Sequence, residues 1–163
     1  MQVIIDSFFR KFPKVREYID RCHEAVRDPG YVETLYGRRR YFFMTDNNAK
    51  MAAQERESQN QPIQGTIGDA LNLALYNLVT YRHTTGMKYK IILPVHDAIF
   101  LDTPADEVTE VADKVLPYCM SDSILIPNTQ LHLGVDVEIS RRWGEHITKE
   151  RALEEAYAEI KIA

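Results

Sequence analysis

This 163-residue sequence predicts an α+β fold, an antiparallel sheet backed by helices. Two apolar patterns and their order carry that expectation. Apolar residues recur at helical spacing from residue 4 to 26 and again from 67 to 79, whereas 91–95 and 98–101 are short β-rich runs flanking His96-Asp97. The elements run helices, hairpin, helices, hairpin, helix, strand, helix, which is not the strand–helix alternation of a doubly wound sheet.

Ile4, Ile5, Phe8, Phe9 and Phe12 share one helical period, and Val15, Tyr18, Ile19, Cys22 and Val26 continue it beyond Pro13. Two helical pieces are expected, with Pro13 as the break or as the first-turn residue of the second. Asp28-Pro29-Gly30 ends that helix in a turn. Residues 31–36 are strand-like, Gly37 turns the chain, and 38–43 return. Residues 47–60 read as a polar helix stopped by Pro62, and Thr66 with Asp69 three residues on reads as the cap of a new helix. Ile67, Leu71, Ala74, Leu75, Leu78 and Val79 give that helix an apolar stripe ending near Gly86. A buried hairpin over 91–102, a helix over 105–120, a strand over 131–139 and a terminal helix over 149–160 complete the series.

Hydrophobic content of 45% and charged content of 27% suit a soluble globular unit with one core, or part of a larger one. No apolar run approaches membrane-spanning length and the N-terminus lacks a signal-peptide pattern, so no membrane partner is expected. Cys22 and Cys119 lie far apart in no metal-binding spacing and at apolar helical positions; they read as reduced core fillers in an intracellular protein. His23, His83, His132 and His146 show no ligand spacing, and Trp143 reads as an anchor closing the last strand.

The net charge of −4 does not advertise nucleic acid, but charge is unevenly spread. Between Tyr36 and Arg56, Arg38, Arg39, Arg40, Lys50 and Arg56 outnumber Asp46 and Glu55. Such a patch either binds phosphate or is a solvated face. Arg56 and Asn60 lie four residues apart and so share a helix face, with Gln64 following in the corner after Pro62. One guanidinium and two amides aimed one way can read the acceptors that every base pair shows in the minor groove. Helix-surface residues and a loop amide are the plainer reading of the same three. At the hairpin apex, an aspartate is costly to bury unless a positive charge compensates it, and in a catalytic site a metal ion does so.

Several of these motifs occur together. Phe12-Pro13-Lys14-Val15, Gly30-Tyr31-Val32-Glu33-Thr34-Leu35-Tyr36-Gly37-Arg38-Arg39-Arg40, Glu55-Arg56, Asn60-Gln61-Pro62-Ile63-Gln64-Gly65-Thr66 with Asp69, and Val95-His96-Asp97 resemble family A DNA polymerases, the bacterial DNA polymerase I group. They stand in that family's order and at about its spacings, from about Ile4 to Trp143. The resemblance implies late fingers helices and a basic turn over 1–65, the C-terminal half of a palm over 66–143, and a terminal helix over 144–163. It implies that Asp97 binds catalytic Mg2+, that His96 lies beside the primer terminus, and that Arg56, Asn60 and Gln64 line the template-primer minor groove. Arg38, Arg39 and Arg40 fall in the family's basic turn, in phosphate contact or in structural pairing. The implied partners are primer-template DNA and a dNTP.

Two departures from the family matter. The glutamate that usually follows the motif aspartate is Ala98 here, which removes a ligand or supporting group from a two-metal site. The other metal-binding aspartate and the nucleotide-binding helix belong to upstream motifs that this sequence does not contain. The expectation is therefore a C-terminal polymerase part, inactive alone and completed by an upstream N-terminal polymerase chain or segment. Met1 followed directly by a helix fits a separate gene product or a cloned fragment. A non-catalytic, double-stranded-DNA-binding remnant of a palm is the alternative. The expected location is intracellular, in the cytoplasm or at the nucleoid, including as a viral or phage replication protein in a host cell.

Overall fold

The computed structural model describes residues 2–142, Arg151 and Glu154. Helices and small antiparallel sheets alternate along it, an α+β arrangement with two compact units, residues 1–67 and 68–163.

In the first unit, α1 (Gln2–Lys11) and α2 (Pro13–Ala25) are separated at Phe12, and Pro13 occupies the first turn of α2, where its missing N–H is no loss. The apolar side of α1 stays largely uncovered by described residues; Ile4 is 74% exposed and Phe8 47%. The turn after α2 leads to β1 (Tyr31–Glu33), which pairs antiparallel with β2 (Arg39–Tyr41) in the register Tyr31↔Tyr41 and Glu33↔Arg39. Both strands are shorter than the sequence suggests. Val26, Val32 and Phe42 form the buried centre, with Ala25 and Met51 packed on it.

A long helix, α3 (Asn48–Thr85), closes the first unit and opens the second. Here the expectation of a break at Pro62 and a fresh cap at Thr66 is overturned: Pro62 lies inside a continuous helix. A proline in mid-helix removes one backbone bond and crowds the preceding turn, a cost of about 3 kcal/mol. Side chains add hydrogen bonds to carbonyls on either side of it. Tyr18 Oη donates to the Gln59 carbonyl at 2.7 Å, Ser58 Oγ to the Glu55 carbonyl at 2.8 Å, and Thr66 Oγ1 to the Pro62 carbonyl at 2.5 Å. Thr66 therefore supports the helix from within and does not start it. At the far end Gly86, at φ +76, stops α3 where expected, its N–H bonded to the Arg82 carbonyl.

In the second unit, Ala70, Ala74 and Leu78 of α3 face inward, while Val79 from the expected stripe is 44% exposed. Next come β3 (Lys90–Val95) and β4 (Ala98–Asp102), an antiparallel hairpin. A short helix α4 (Val108–Glu110) follows, extended by π-helical turns over Val111–Val115 and Tyr118–Asp122. Leu78, Tyr89, Val111, Val115 and Cys119 form the core, with Ile91, Ile99 and Leu101 of the hairpin packed on it. Tyr89 Oη donates to the Leu78 carbonyl at 2.6 Å, so the buried phenol carries its own partner. Asn77 Nδ2 reaches Ser123 Oγ at 2.9 Å, tying α3 to the π-helical end. Cys22 and Cys119 are both buried free thiols, as core fillers should be.

Two further expectations change. The hairpin is not buried: one face sits on the core and its apex is exposed. Residues 131–139 form no strand, although Leu133, Val135, Val137 and Ile139 keep a half-buried alternation. A strand exists only where a neighbour takes its N–H and C=O groups, and among the described residues no ladder includes this segment. Trp143 and the expected terminal helix lie outside the described residues, apart from Arg151 and Glu154.

Candidate functional site

His96 and Asp97 are the two loop residues of the β3–β4 hairpin, between the closing pair Val95↔Ala98. A two-residue loop must reverse the chain with the strands' own twist, which requires positive φ at one or both positions. His96 takes it, at φ 55, and Asp97 does not, the pattern of a type II′ turn, whose first position favours glycine. A histidine is therefore held where most side chains are strained. The seating below is firm. Ile91, Ile99 and Leu101 anchor the hairpin to the core, and the Glu107 carboxylate accepts the Lys88 N–H at 2.8 Å and the Tyr89 N–H at 3.2 Å as the chain enters β3. An extra residue in β3, between the pairs Ile91↔Leu101 and Leu93↔Phe100, bulges the strand and turns Leu93 and Val95 away from the core face.

The Asp97 side chain stands exposed at this apex and, among the described residues, has no hydrogen-bond or ion-pair partner. Its carboxylate is thus available to a cation. Ala98 beside it is also exposed and adds no ligand. Among the described residues no group of three or more His, Cys, Asp or Glu side chains is placed to hold a metal ion. The donor set fits one ligand of a shared magnesium site and does not make that site alone.

The second set lies on α3 in the first unit. Because the helix continues through Pro62, Arg56, Asn60 and Gln64 occupy positions i, i+4 and i+8 of one stripe, about 80° of arc over ~12 Å. All three are exposed, and none has a hydrogen-bond or ion-pair partner among the described residues. The charged side chains around them are already engaged. Glu55 pairs with Arg27 at 2.7 Å, and Glu57 with Arg40 at 2.6 Å. A stripe of one guanidinium and two amides, unclaimed by the described residues, can hydrogen-bond an outside partner without first breaking a bond to any of them.

The three arginines of the β1–β2 hairpin are placed differently. Arg39 pairs with Glu33 at 2.6 Å and stacks on the Tyr31 ring at 4.4 Å, and its guanidinium is held even more firmly protonated, by the Glu33 hydrogen bond first. Arg40 is the partner of Glu57. Arg38 donates Nη2 to the Gly65 carbonyl at 3.1 Å. Exposed pairs such as Arg39–Glu33 and Arg40–Glu57 are weak because water screens them, so they exchange easily for a phosphate. The fold brings Arg56, Asn60 and Gln64 together on one stripe and His96 with Asp97 on one turn, in separate units. Sequence reasoning missed Tyr18 and Thr66, which hold the backbone around Asn60 and Gln64; a hydroxyl that satisfies a distant or preceding carbonyl leaves no periodic signal.

Residues 1–145 match the family model described as DNA polymerase family A. The DNA polymerase I of Chloroflexus aurantiacus is 38% identical over 146 residues, which is 87% of this chain and 15% of that protein. The thermostable DNA polymerase I of Thermus thermophilus is 41% identical over 112 residues, covering 66% of this chain and 13% of that protein. Among solved structures, the POL domain of Pol1 from M. smegmatis, in complex with DNA primer-template and dNTP, aligns with a TM-score of 0.70 at 28% identity, covering 77% of this chain and 22% of that one. The chain thus spans about a sixth of the length of the relatives it matches.

Proposed function

This chain belongs to DNA polymerase family A, and from that premise we propose that it supplies the C-terminal part of a template-directed DNA polymerase active site. Residues 1–65 correspond to late fingers helices and residues 66–143 to the second half of the palm. The observation that carries the proposal is the Asp97 carboxylate, exposed and without a partner among the described residues, on a turn whose strands are anchored in the core.

In this reading the 3′-hydroxyl of the primer displaces pyrophosphate from the α-phosphate of a deoxynucleoside triphosphate. Bound magnesium would lower the charge barrier between the attacking and leaving oxygens. Asp97 is one carboxylate of that site, and a second comes from outside the motifs present here. His96, fixed on the same turn, positions the primer terminus. Arg56, Asn60 and Gln64 contact the minor-groove acceptors of the nascent pairs, purine N3 and pyrimidine O2, which test pair shape without reading sequence. Arg39 and Arg40 are placed to trade carboxylate partners for DNA phosphate. In the first unit the apolar residues Val3, Ile4, Phe43 and Met44, each at least 68% exposed among the described residues, support completion by further polymerase structure. No described helix is long and apolar enough to cross a membrane.

Primer extension tests this. The tagged chain, recovered with its bound partners from its native lysate, is assayed with magnesium beside an Asp97→Asn chain recovered the same way. Extension by the first and not the second is the expected result; equal extension by both sinks the assignment of Asp97. Ala98 favours a second reading, a DNA-binding palm remnant without chemistry. Duplex affinity that needs no magnesium and survives Asp97→Ala, with no extension from either preparation, would establish it.

A further inference from the structure

The stripe of Asn60 and Gln64 straddles Pro62, the one residue of α3 between them that cannot donate a backbone bond. Their mutual orientation therefore depends on what holds residues 61–66. The turn between β1 and β2 does this. Leu35 donates its N–H to Thr66 Oγ1 at 2.9 Å, and the same hydroxyl donates to the Pro62 carbonyl. Arg38 Nη2 bonds the Gly65 carbonyl at 3.1 Å, while the Arg38 N–H is fixed on Thr34 Oγ1 at 3.1 Å. Gly65 lets the turn approach, since a β-carbon there would lie 2.6 Å from Thr34 Cγ2. Thr34 and Thr66 are both buried, at 4% and 5% exposure. The two threonines at the heart of the bridge are shielded from water, which favours their hydrogen bonds, while Arg38 reaches in from an exposed position.

We infer that Arg38 and Thr66 are positioning residues that set the direction of Gln64 relative to Asn60 across Pro62. Arg38 then acts through the Gly65 carbonyl, one residue beyond Gln64, and is not itself a phosphate contact. This rests on the proposed contact of Asn60 and Gln64 with duplex DNA. Its physical content is separable from that contact, because a clamp that orders residues 61–66 does so with or without DNA.

The experiment has two arms on the full chain. Affinity for a recessed primer-template is measured by anisotropy across a salt series for wild type, Arg38→Ala, Arg38→Lys, Gln64→Ala and Arg38→Ala/Gln64→Ala. Expected for Arg38→Ala is a loss of about tenfold, the scale of one well-placed base-edge contact, with an unchanged salt slope. Gln64→Ala should cost little more on that background, and Arg38→Lys should recover part of the loss. A slope reduced by about 0.9, the signature of one lost phosphate contact, together with additive losses, would overturn the inference.

The second arm follows amide hydrogen exchange at residues 63–67 without DNA, in Arg38→Ala, Thr66→Val and Thr66→Ser. Faster exchange in the first two, restored by the serine hydroxyl, supports the clamp, and unchanged exchange overturns it. Were no form to bind DNA, the proposed duplex contact of Asn60 and Gln64 in this chain would fall while the exchange data still decide the clamp.

Discussion

Thr34 and Gly65 meet at a separation that only glycine allows. A β-carbon on residue 65 would stand 2.6 Å from the Thr34 methyl and 2.8 Å from Gln61 Nε2. Gln61 is long enough to move aside. Thr34 is buried, β-branched and bonded through its hydroxyl to the Arg38 N–H, so its methyl has no other place to go. The closeness of this pair is what allows the β1–β2 turn to reach the backbone of α3.

Gly65→Ala should therefore destabilise the chain, against helix propensity. Alanine gains about 1 kcal/mol over glycine inside a helix, while forcing a methyl into a filled space costs about 1–3 kcal/mol. The expected net loss is up to about 2 kcal/mol, read as a lower urea midpoint at unchanged slope. A raised midpoint would mean that Thr34 yields freely and the contact is loose.

His96→Gly should do the opposite. Relieving positive φ at a non-glycine residue is worth about 1–2 kcal/mol, and the added freedom of the unfolded glycine returns about 0.5–1 kcal/mol of it. A gain of ~0.5–1 kcal/mol in unfolding free energy, read as a raised urea midpoint, is expected, while primer extension by the completed assembly falls. Stability and activity moving together in either direction would remove the case that the strain at His96 is kept for function.

The turns and ends of this fold were legible in its sequence because each is fixed by a local backbone constraint. Pro13 begins α2, Gly86 ends α3, and His96-Asp97 makes the hairpin apex. What could not be read depends on partners distant in sequence. Pro62 signals a stop everywhere within its own window, yet the helix continues through it, with Tyr18 bonded to the Gln59 carbonyl and Arg38 of the β1–β2 turn to the Gly65 carbonyl. Residues 131–139 carry a true period of two, but alternation shows only which side is half-buried and never whether a neighbouring strand is present. For the candidate site, Arg56, Asn60, Gln64, His96 and Asp97 were named from motifs. The alignment of Gln64 with Arg56 and Asn60 on one stripe followed only from the unbroken helix.

Burial of Cys119 gives the second unit an alkaline limit. Desolvation pushes its thiol from 9.0 up to about 11, and desolvation likewise pushes the Tyr89 phenol from 10.0 up to about 12. Both folded values are raised, so the stabilisation is complete below the unfolded values and is lost as pH climbs through the folded ones. Unfolding free energies from urea titrations should be flat to about pH 9 and fall between about 9 and 11 through Cys119, by up to about 2 kcal/mol. Tyr89 extends the fall toward pH 12. Cys119→Ala should lose about 1 kcal/mol at neutral pH from the vacated volume and show a shallower decline between pH 9 and 11. An equally steep decline in the variant would exclude the thiol as its source.

Ala98 offers the most direct test of how the apex meets metal. It is exposed next to Asp97 at the first position of β4, so a glutamate there meets no packed neighbour and should leave stability within about 0.5 kcal/mol. Without a cation the new carboxylate only adds repulsion beside Asp97. With magnesium shared between Asp97 and a carboxylate from elsewhere, it adds a ligand or a group that orders one, and such neighbours are worth about 10–100-fold in metal affinity. Ala98→Glu should accordingly lower the magnesium concentration for half-maximal primer extension by about tenfold. The same substitution on an Asp97→Asn chain should rescue nothing. If the magnesium requirement is unchanged or rises, the metal is held away from this edge of the turn, and Asp97 meets the primer end by another route.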